Sequence, residues 1–236
     1  MRLDCELVIR KIYPTRAKAA AAIIAGLVSV NGLAAPKASL NVLPHDSISG
    51  APLPYISGRG SLKLAAALDA FNIDPTDMLC LDVGSSTGGF TEVLLNRGAR
   101  RIIAVDVGTD QMIPGLRNDP RVTSLEETDI RMLRPTACVD LVVADVSFIS
   151  LADIAASLAA WNPPKIIALI KPQFEVPRRT AAKGRGVIKS DADRVRSIEA
   201  VTDAFKAAGF RRTGLIESPI KGGSGNMEYL AMFTNQ

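Results

Sequence analysis

Cysteine and histidine are scarce in this sequence, whose 236 residues include three cysteines and one histidine. Cys5, Cys80 and Cys138 lie far apart and show no paired spacing, so the sequence supports neither a disulfide framework nor a zinc site. A single histidine, His45, argues against a metal centre and against a Ser-His-Asp triad. We therefore expect no metal, and any chemistry has to depend on lysine, aspartate and glutamate.

The sequence also has no long hydrophobic run. No apolar segment reaches the length of about 18 residues that a membrane span requires, and the N-terminus, Met1 to Glu6, lacks the core of a signal peptide. These absences lead us to expect a cytoplasmic protein without a membrane partner. The hydrophobic content of 47% and the charged content of 22% are ordinary for a soluble protein. The length suits one substantial α/β domain with a small second one.

Positive charge is concentrated in residues 1–50, which contain six lysines or arginines and three acidic residues. This segment predicts a helix over 4–9 with Asp4 as its cap, a second helix over 16–25 and a small hairpin around Asn31-Gly32. A small basic module of this kind points toward nucleic acid. The proline-containing stretch that follows predicts a linker.

A glycine-rich turn follows an apolar run in the segment Leu79 to Phe90. A strand ending in Asp82, a turn and a helix, in that order, are typical of nucleotide-type sites in parallel α/β sheets. A triphosphate loop requires Lys-Ser/Thr after its last glycine, and a dinucleotide site requires Gly-x-Gly-x-x-Gly, whereas here Gly84 is separated by three residues from Gly88-Gly89. Binding of S-adenosylmethionine (SAM) fits this wider turn best. A structural turn without a ligand stays open.

Further predicted strands also end in charged residues. Asp106 ends the second strand, where nucleoside-binding sheets hold ribose hydroxyls, although a helix cap is an alternative. Asp129 follows the third strand at a position suited to an adenine edge, and a solvated loop aspartate is equally compatible. Asp145 ends the fourth strand and Lys171 the fifth. The pattern predicts a Rossmann-like α/β fold whose crevice lies at the carboxyl ends of its strands.

Four ionisable residues are predicted to face this crevice: Lys63, Asp145, Lys171 and Glu228. Burial and a neighbouring lysine favour the neutral amine of Lys171, which can then act as a base toward a weak nucleophile such as a ribose 2′-hydroxyl. Lys63 lies near the start of a helix predicted over 62–71. The stripe that this helix is predicted to bury consists of Leu62, Ala65, Leu68 and Phe71.

A basic loop, residues 172–189, follows Lys171 and has no acidic residue after Glu175. Such a loop beside the crevice suits a phosphate-rich substrate. The alternative is a mobile surface loop whose charges have no specific partner. Its basic residues are Arg178, Arg179, Lys183, Arg185 and Lys189.

The first fifty residues resemble the alpha-L RNA-binding fold, the S-four-type domain of ribosomal proteins and pseudouridine synthases. The resemblance lies in Arg2-Leu3-Asp4, in Thr15-Arg16-x-x-Ala19 and in Ile24-x-Gly26-x-Val28-x-Val30-Asn31-Gly32. It implies that Arg2, Arg16, Lys18 and neighbouring basic groups contact RNA phosphates.

Six motifs are together similar to those of the TlyA family of ribosomal RNA 2′-O-methyltransferases, often labelled hemolysin A, which have an FtsJ-like catalytic domain. These motifs are Gly84-Ser-Ser-Thr-Gly-Gly-Phe, Ala104-Val-Asp-Val-Gly108, Leu116-Arg-Asn-Asp-Pro-Arg-Val122, Ala144-Asp-Val-Ser-Phe-Ile-Ser-Leu151, Leu169-Ile-Lys-Pro-Gln-Phe-Glu175 and Ser218-Pro-Ile with Gly225-Asn-Met-Glu-Tyr. The resemblance implies SAM as cofactor and ribosomal RNA or a ribosomal subunit as partner. The chain resembles the shorter form of the family, which implies a cytidine in 23S RNA and not also in 16S RNA.

The same resemblance implies roles for individual residues. Lys63, Asp145, Lys171 and Glu228 match a Lys-Asp-Lys-Glu catalytic set, with Lys171 as base. The predicted SAM-binding residues are Asp82, Gly84, Ser85, Thr87, Gly88, Phe90, Asp106, Val107, Asp129 and Ile130. The predicted RNA-binding residues are Arg2, Arg16, Lys18, Arg59, Arg178, Arg179, Lys183 and Arg185. The expected domains are an RNA-binding domain (1–50), a linker (51–60) and a methyltransferase domain (61–236).

Other functions fit the sequence less well. Base N-methyltransferases carry Asn/Asp-Pro-Pro-Tyr after the fourth strand, whereas Asn162-Pro163-Pro164 precedes the fifth strand and lacks the aromatic residue. A cytosine-C5 enzyme requires a nucleophilic cysteine in the crevice, and none is placed there. A pore-forming activity requires a membrane-inserting segment, and the sequence predicts none. An RNA-binding protein without methyltransferase activity stays possible.

Overall fold

The computed structural model describes residues 1–13, 15–24, 26–50, 60–184 and 186–235, with the backbone alone for Ala17, Lys18, Ala21, Ile24, Arg178 and Lys183. Arg59 and Arg185, predicted to bind RNA, lie outside the described residues, as does the predicted linker up to residue 59. The chain forms two compact units, Met1–Tyr55 and Ile56–Gln236.

The first unit combines two helices with a small antiparallel sheet. Its elements are α1 (Leu3–Ile9), α2 (Arg16–Ile24), β1 (Val28–Val30), β2 (Leu33–Ala34) and β3 (Ile48–Gly50). The sheet order is β2-β1-β3. Asn31 and Gly32 connect β1 to β2 with φ of 53° and 81°, which suits a tight hairpin turn with two left-handed residues. The predicted hairpin is present, whereas β3 was not predicted because it lies within the proline-containing stretch.

Asp4 does not cap α1, because the helix already begins at Leu3. It lies inside the first turn, buried, where its carboxylate accepts hydrogen bonds from Arg2 (3.0 Å) and Arg16 (2.9 Å). These hydrogen bonds, that of Arg2 first, hold the pKa of Asp4 below its usual range. Asp4 therefore joins α1 to the start of α2.

The second unit is a seven-stranded sheet with helices on both faces. Its helices are α3 (Gly60–Ala70), α4 (Gly89–Asn96), α5 (Pro114–Arg117), α6 (Leu151–Ala159), α7 (Pro172–Glu175), α8 (Arg178–Lys183) and α9 (Asp191–Ala207). Its strands are β4 (Leu79–Val83), β5 (Arg101–Val105), β6 (Val122–Leu125), β7 (Leu141–Ala144), β8 (Lys165–Ile170), β9 (Phe210–Glu217) and β10 (Tyr229–Asn235). Gly60, predicted as the end of the linker, is thus the first residue of α3.

The sheet has the strand order β6-β5-β4-β7-β8-β10-β9. Strands β4 to β8 pair in parallel, while β10 pairs antiparallel with both β8 and β9. The order reverses direction between β4 and β7, and ligands of open α/β sheets bind at such a switch point. In the described part of the chain no helix is long and apolar enough to cross a membrane.

Two hydrophobic clusters cover the faces of this sheet. Leu81 and Val83 of β4 pack with α6 and α9, while Cys80 packs on the other face with α3 and α4, as the alternation of a strand requires. Phe205 of α9 stacks on Phe233 of β10, with ring centroids 4.1 Å apart. Fully burying an apolar side chain of this size contributes roughly 1.5–3 kcal/mol.

The predicted stripe of α3 is confirmed for Ala65, Leu68 and Phe71, which pack in or against a hydrophobic cluster, and was wrong for Leu62. Leu62 is 57% exposed, and the buried side chains of this helix are Lys63, Leu64, Ala67 and Leu68. Nearly every position of the helix is apolar, so the sequence shows no single stripe, and packing on the sheet selects the face. This rotation turns Lys63 into the unit.

Candidate active site

The glycine-rich turn after β4 lies directly against the segment that follows β7. Gly84 has φ of 81°, and a Cβ atom there would lie 2.5 Å from the carbonyl oxygen of Asp145. Gly88 has φ of 100°, and its Cβ would lie 2.3 Å from Cδ1 of Leu116. Gly84 therefore requires glycine for conformation and for space, and Gly88 requires it for conformation.

A cavity of about 460 Å³ opens between these two segments and the end of β5. Its volume falls in the usual range of small-molecule sites. It lies at the carboxyl ends of β4, β5 and β7, where the strand order reverses. Its lining comprises Val83, Gly84, Ser86, Val105, Asp106, Val107, Gly108, Gln111, Thr128, Asp129, Ile130, Arg131, Asp145, Val146, Ser147, Phe148, Ile149 and Ile154.

Half of the residues predicted to bind SAM line this cavity, namely Gly84, Asp106, Val107, Asp129 and Ile130. The others lie next to it in the turn or beneath it in the core. Ser85 and Phe90 are buried, and Phe90 packs in the cluster with α3 and α4. The turn thus shapes the cavity through its backbone. The predicted residues outside the lining are Asp82, Ser85, Thr87, Gly88 and Phe90.

Two carboxylates stand on one side of the cavity. Asp106 accepts hydrogen bonds from the backbone N–H groups of Ser86 (2.8 Å) and Gly108 (2.7 Å). It therefore fixes the turn and the loop after β5, and no helix begins at Gly108. Asp129 accepts hydrogen bonds from Arg131, which lower the pKa of its carboxyl. Carboxylates beside the apolar Val107 and Ile130 fit a cofactor that has ribose hydroxyls, an aromatic base and a positive charge.

Asp82 lies below the cavity, fully buried in β4. Thr91 donates a hydrogen bond to its Oδ2 (2.6 Å), while its Oδ1 is buried and has no hydrogen-bond partner among the described residues. Burial raises the pKa of this carboxyl to about 7. Asp82 thus joins β4 to α4.

The four predicted catalytic residues form two ion pairs at the ends of neighbouring elements. Lys171 Nζ lies 2.6 Å from Asp145 Oδ1, and Lys63 Nζ donates to Glu228 Oε2 at 2.6 Å. Glu228 directly precedes the pair Tyr229–Ile170 of β10 and β8, which brings it to the strand end occupied by Lys171. Both lysines and Glu228 are buried. Each lysine nitrogen therefore has a carboxylate partner in a site with little access to water.

Three polar or aromatic residues near these pairs were missed by the sequence reasoning. Ser147 Oγ accepts a hydrogen bond from Lys171 Nζ (2.7 Å). Gln173 makes a long hydrogen bond of 3.5 Å to Glu228. The ring of Phe174 lies with its centroid 5.9 Å from Lys171 Nζ. All three follow Asp145 or Lys171 closely in the chain. The only feature of the sequence that could have indicated them was their proximity to the end of a strand.

The remaining predicted RNA-binding residues lie in two places. Arg2 and Arg16 of the first unit both pair with Asp4 and keep about half of their side-chain surface exposed. Arg178 and Lys183 are the first and last residues of α8 in the second unit, and Arg179 on the same helix is exposed. The basic loop thus contains a helix. Among the described residues, no group of three His, Cys, Asp or Glu side chains is arranged to hold a metal ion.

The fold and the site define a SAM-dependent methyltransferase. A similar fold occurs in a solved SAM-dependent methyltransferase from Mesorhizobium loti, with a TM-score of 0.57. That structure is 15% identical and covers 76% of this chain and 100% of its own. The likeness supports the fold alone.

Sequence similarity identifies the family to which the chain belongs. The FtsJ-like methyltransferase family matches residues 56–235, and the chain belongs to this family. It is 44% identical to the 16S/23S rRNA (cytidine-2′-O)-methyltransferase TlyA of Mycobacterium tuberculosis over 100% of this chain and 90% of that protein. A solved structure of a hemolysin-named protein from Streptococcus thermophilus is 37% identical, with a TM-score of 0.74, and covers 100% of this chain and 88% of that one.

Proposed function

We propose that this protein transfers a methyl group from SAM to the 2′-oxygen of a cytidine ribose in ribosomal RNA, with Lys171 as the base. The observation that carries the proposal is the ion pair of Lys171 with Asp145, which itself lines the cavity beside the glycine turn. The full-length similarity to the mycobacterial rRNA methyltransferase supports the same reaction on ribosomal RNA. A ribosomal RNA substrate places the protein in the cytoplasm.

The residues of the two units suit them to different tasks, RNA binding and methyl transfer. We assign RNA binding to residues 1–50, whose net positive charge includes Arg2, Arg16 and Lys18. The methyltransferase unit begins near Gly60, the first residue of α3. In that unit the basic residues of α8 provide a second set of phosphate contacts.

SAM, when bound, supplies an electrophilic methyl group to the site. Asp106 and Asp129 hold the nucleoside part of this molecule, and Gly84 lets the backbone approach it closely. On the substrate side, the neutral amine of Lys171 accepts the proton that the ribose 2′-hydroxyl loses as the oxygen attacks, and the carboxylate of Asp145 stabilises the ammonium group that results. Asp145 and Ser147 hold the lysine nitrogen at 2.6 and 2.7 Å, so its position is fixed before the substrate arrives.

The pair of Lys63 and Glu228 forms the second wall of the reaction site. Glu228 is 3% exposed and neutralises a lysine that is 8% exposed. Loss of either partner would leave an uncompensated buried charge, which is strongly destabilising. We assign this pair the task of orienting the ribose beside Lys171.

Lys171→Ala is the direct test of this mechanism. Removal of a general base lowers a rate by about 100-fold or more, so methylation of ribosomal subunits should fall by at least that factor. SAM binding should persist, because Lys171 is not part of the cavity lining. Labelled SAM with purified subunits measures the rate, and calorimetry measures SAM binding.

Lys165→Ala is the matched control, since Lys165 begins the same strand, β8, at its opposite end. It should methylate as the wild type does. Wild-type rates in Lys171→Ala would refute the assignment of the base. Normal RNA affinity without SAM binding in the wild type would favour the non-enzymatic alternative.

The choice of ribosomal subunit is part of the proposal. We propose modification of 23S RNA alone, whereas the mycobacterial relative is named for both 16S and 23S RNA. Assaying small and large subunits separately, followed by mapping of the modified nucleotide, distinguishes the two. Methylation of the small subunit would overturn the restriction to 23S RNA and leave the reaction itself intact.

A further inference from the structure

Glu175 is an acidic residue at the end of α7, half-buried and close to Lys171 in the chain. Its Oε1 accepts a hydrogen bond from the backbone N–H of Leu151 at 3.0 Å, and its Oε2 accepts one from the hydroxyl of Ser150. Burial raises the pKa of this carboxyl, and the two hydrogen bonds oppose the rise. Both carboxylate oxygens are therefore bound to the start of α6.

The start of α6 already has a local cap. Ser150 is the N-cap residue of this helix, and its hydroxyl accepts a hydrogen bond from the backbone N–H of Ala152 at 3.0 Å. Glu175 adds a negative charge at a helix N-terminus, where an anion is favourable. It comes from a segment 24 positions after Leu151. Glu175 therefore links two distant segments in addition to completing the helix end.

The two segments that Glu175 joins carry the base and its partners. Strands β7 and β8 pair with each other, and beyond the end of β7 side chains connect the two segments. Lys171 Nζ lies 2.6 Å from Asp145 and donates a hydrogen bond to Ser147 at 2.7 Å. The hydrogen bonds of Glu175 form a second connection between the same segments, a few residues further along each of them.

One helical turn connects Glu175 to Lys171. Lys171 is the N-cap residue of α7, Pro172 is its first residue and Glu175 its last. The backbone N–H of Phe174 donates to the carbonyl of Lys171 at 2.9 Å, and that of Val176 donates to the carbonyl of Pro172 at 3.1 Å. The ring of Pro172 fixes φ at the first helical position. Fixing Glu175 therefore also fixes the backbone of Lys171.

We propose that Glu175 is a positioning residue for the methyl transfer, which keeps the amine of Lys171 within reach of the substrate by fixing α7 against α6. A general base must lie within hydrogen-bond reach of the proton that it accepts. A displacement of about 1 Å can cost about 100-fold in rate. The inference rests on the function proposed above.

The kinetic test compares Glu175→Ala with Glu175→Gln in the full-length protein, with unmethylated large ribosomal subunits as substrate. The alanine variant should lose about 10- to 100-fold in kcat. KM for the subunits and the dissociation constant of SAM should not change, because Glu175 does not line the cavity. Glutamine can still accept from Leu151 and donate to Ser150, so it should recover most of the lost rate. Glu199→Ala, at an exposed position of α9, is the matched control.

A double-variant cycle separates positioning of the base from a general loss of structure. In the Lys171→Ala background there is no amine to position, so Glu175→Ala should not lower the residual single-turnover rate further. A structural role elsewhere in the unit would lower this rate by the same factor as in the wild type. Ser150→Ala removes one of the two hydrogen bonds and tests the same link if Glu175→Ala does not fold.

Chemical labelling tests the position of Lys171 without methylation. Acetic anhydride acetylates lysine amines, and mass spectrometry of peptides measures the rate at Lys171 relative to Lys165 at the other end of β8. Lys171 is 8% exposed, so its labelling should be slow in the wild type. It should be faster in Glu175→Ala, where α7 is released from α6, and unchanged in Glu199→Ala.

Several results would overturn the proposal. Wild-type kcat in Glu175→Ala would do so, as would an equal loss of rate in the two backgrounds or unchanged labelling of Lys171. A glutamine variant as slow as the alanine variant would also contradict it, since the effect would then belong to the charge. Faster labelling in Glu175→Ala, in a protein whose wild type methylates no ribosomal RNA, would support the link and refute the proposed reaction separately.

Discussion

At the scale of single residues, Asp82 is a carboxyl group with no access to water. Its pKa is raised from 3.8 to about 7, by burial first and by the negative charges of Asp145 and Asp106, while the hydrogen bond from Thr91 opposes the rise. Between pH 4 and pH 7 the folded protein therefore holds a proton that the unfolded chain has released. Stability must fall as pH rises through this window, at up to about 1.4 kcal/mol per pH unit.

Asp82→Asn removes this titration. The free energy of unfolding of the wild type, relative to that of the variant, should fall by on the order of 2 kcal/mol between pH 5 and pH 8. Urea unfolding, monitored by the fluorescence of the buried Trp161, measures the free energy of unfolding of the wild type and of the variant. Asp203→Asn, which removes an exposed carboxyl of α9, controls for the change of side chain. If the free energies of unfolding of the wild type and the variant differed by the same amount at pH 5 and at pH 8, Asp82 would keep one protonation state over this range.

At the scale of elements, Asn226 holds the end of the basic loop against the start of β10. It is 1% exposed, accepts a hydrogen bond from the backbone N–H of Ile188 and donates one to the carbonyl of Gly186, both at 2.8 Å. Glu228 of the candidate active site follows Asn226 two positions later in the sequence. The loop that the sequence left open as a mobile surface segment is thus tied to the strand that carries part of the site.

Asn226→Ala should destabilise the protein by about 2 kcal/mol, because a buried N–H and a partly buried carbonyl both lose their partners. The same change should raise KM for ribosomal subunits, since the basic loop loses its position. Asn235→Ala, an exposed change at the other end of β10, is the control. Urea midpoints measure stability, and equal midpoints for the two variants would contradict the role of Asn226.

At the scale of the whole molecule, positive charge and catalytic residues belong to different units. The first unit contributes most of the net charge of +4, whereas the cavity and both buried ion pairs lie in the second. Salt should therefore weaken binding of ribosomal RNA far more than binding of SAM, since counterions are released from the RNA.

Lys18→Ala should reduce the slope of log affinity against log salt concentration by about 1, as expected for one lost phosphate contact. Filter binding of ribosomal RNA over a range of salt concentrations measures this slope. Lys206→Ala, in the last turn of α9, removes an equal charge from the second unit and should leave the slope unchanged. A slope reduced equally by both variants would indicate a general charge effect without a contact at Lys18.

The sequence by itself determined the strands of the large sheet, the glycine turn and the acidic strand ends. A run of apolar residues, a left-handed glycine such as Gly84 and a charge that ends a strand are local features, because the interactions that cause them act within a few residues. Gly84 was assigned to a cofactor turn on this basis, and the structure places it at the cavity.

Only the tertiary structure decided which side chains meet. Lys63 and Glu228 are 165 residues apart and pair because α3 packs with its Lys63 face inward and β10 inserts beside β8. The sequence of α3 offers several apolar faces, so its rotation depends on the sheet. Such contacts depend on strand order and helix rotation, which are set by packing of distant segments and leave no local pattern.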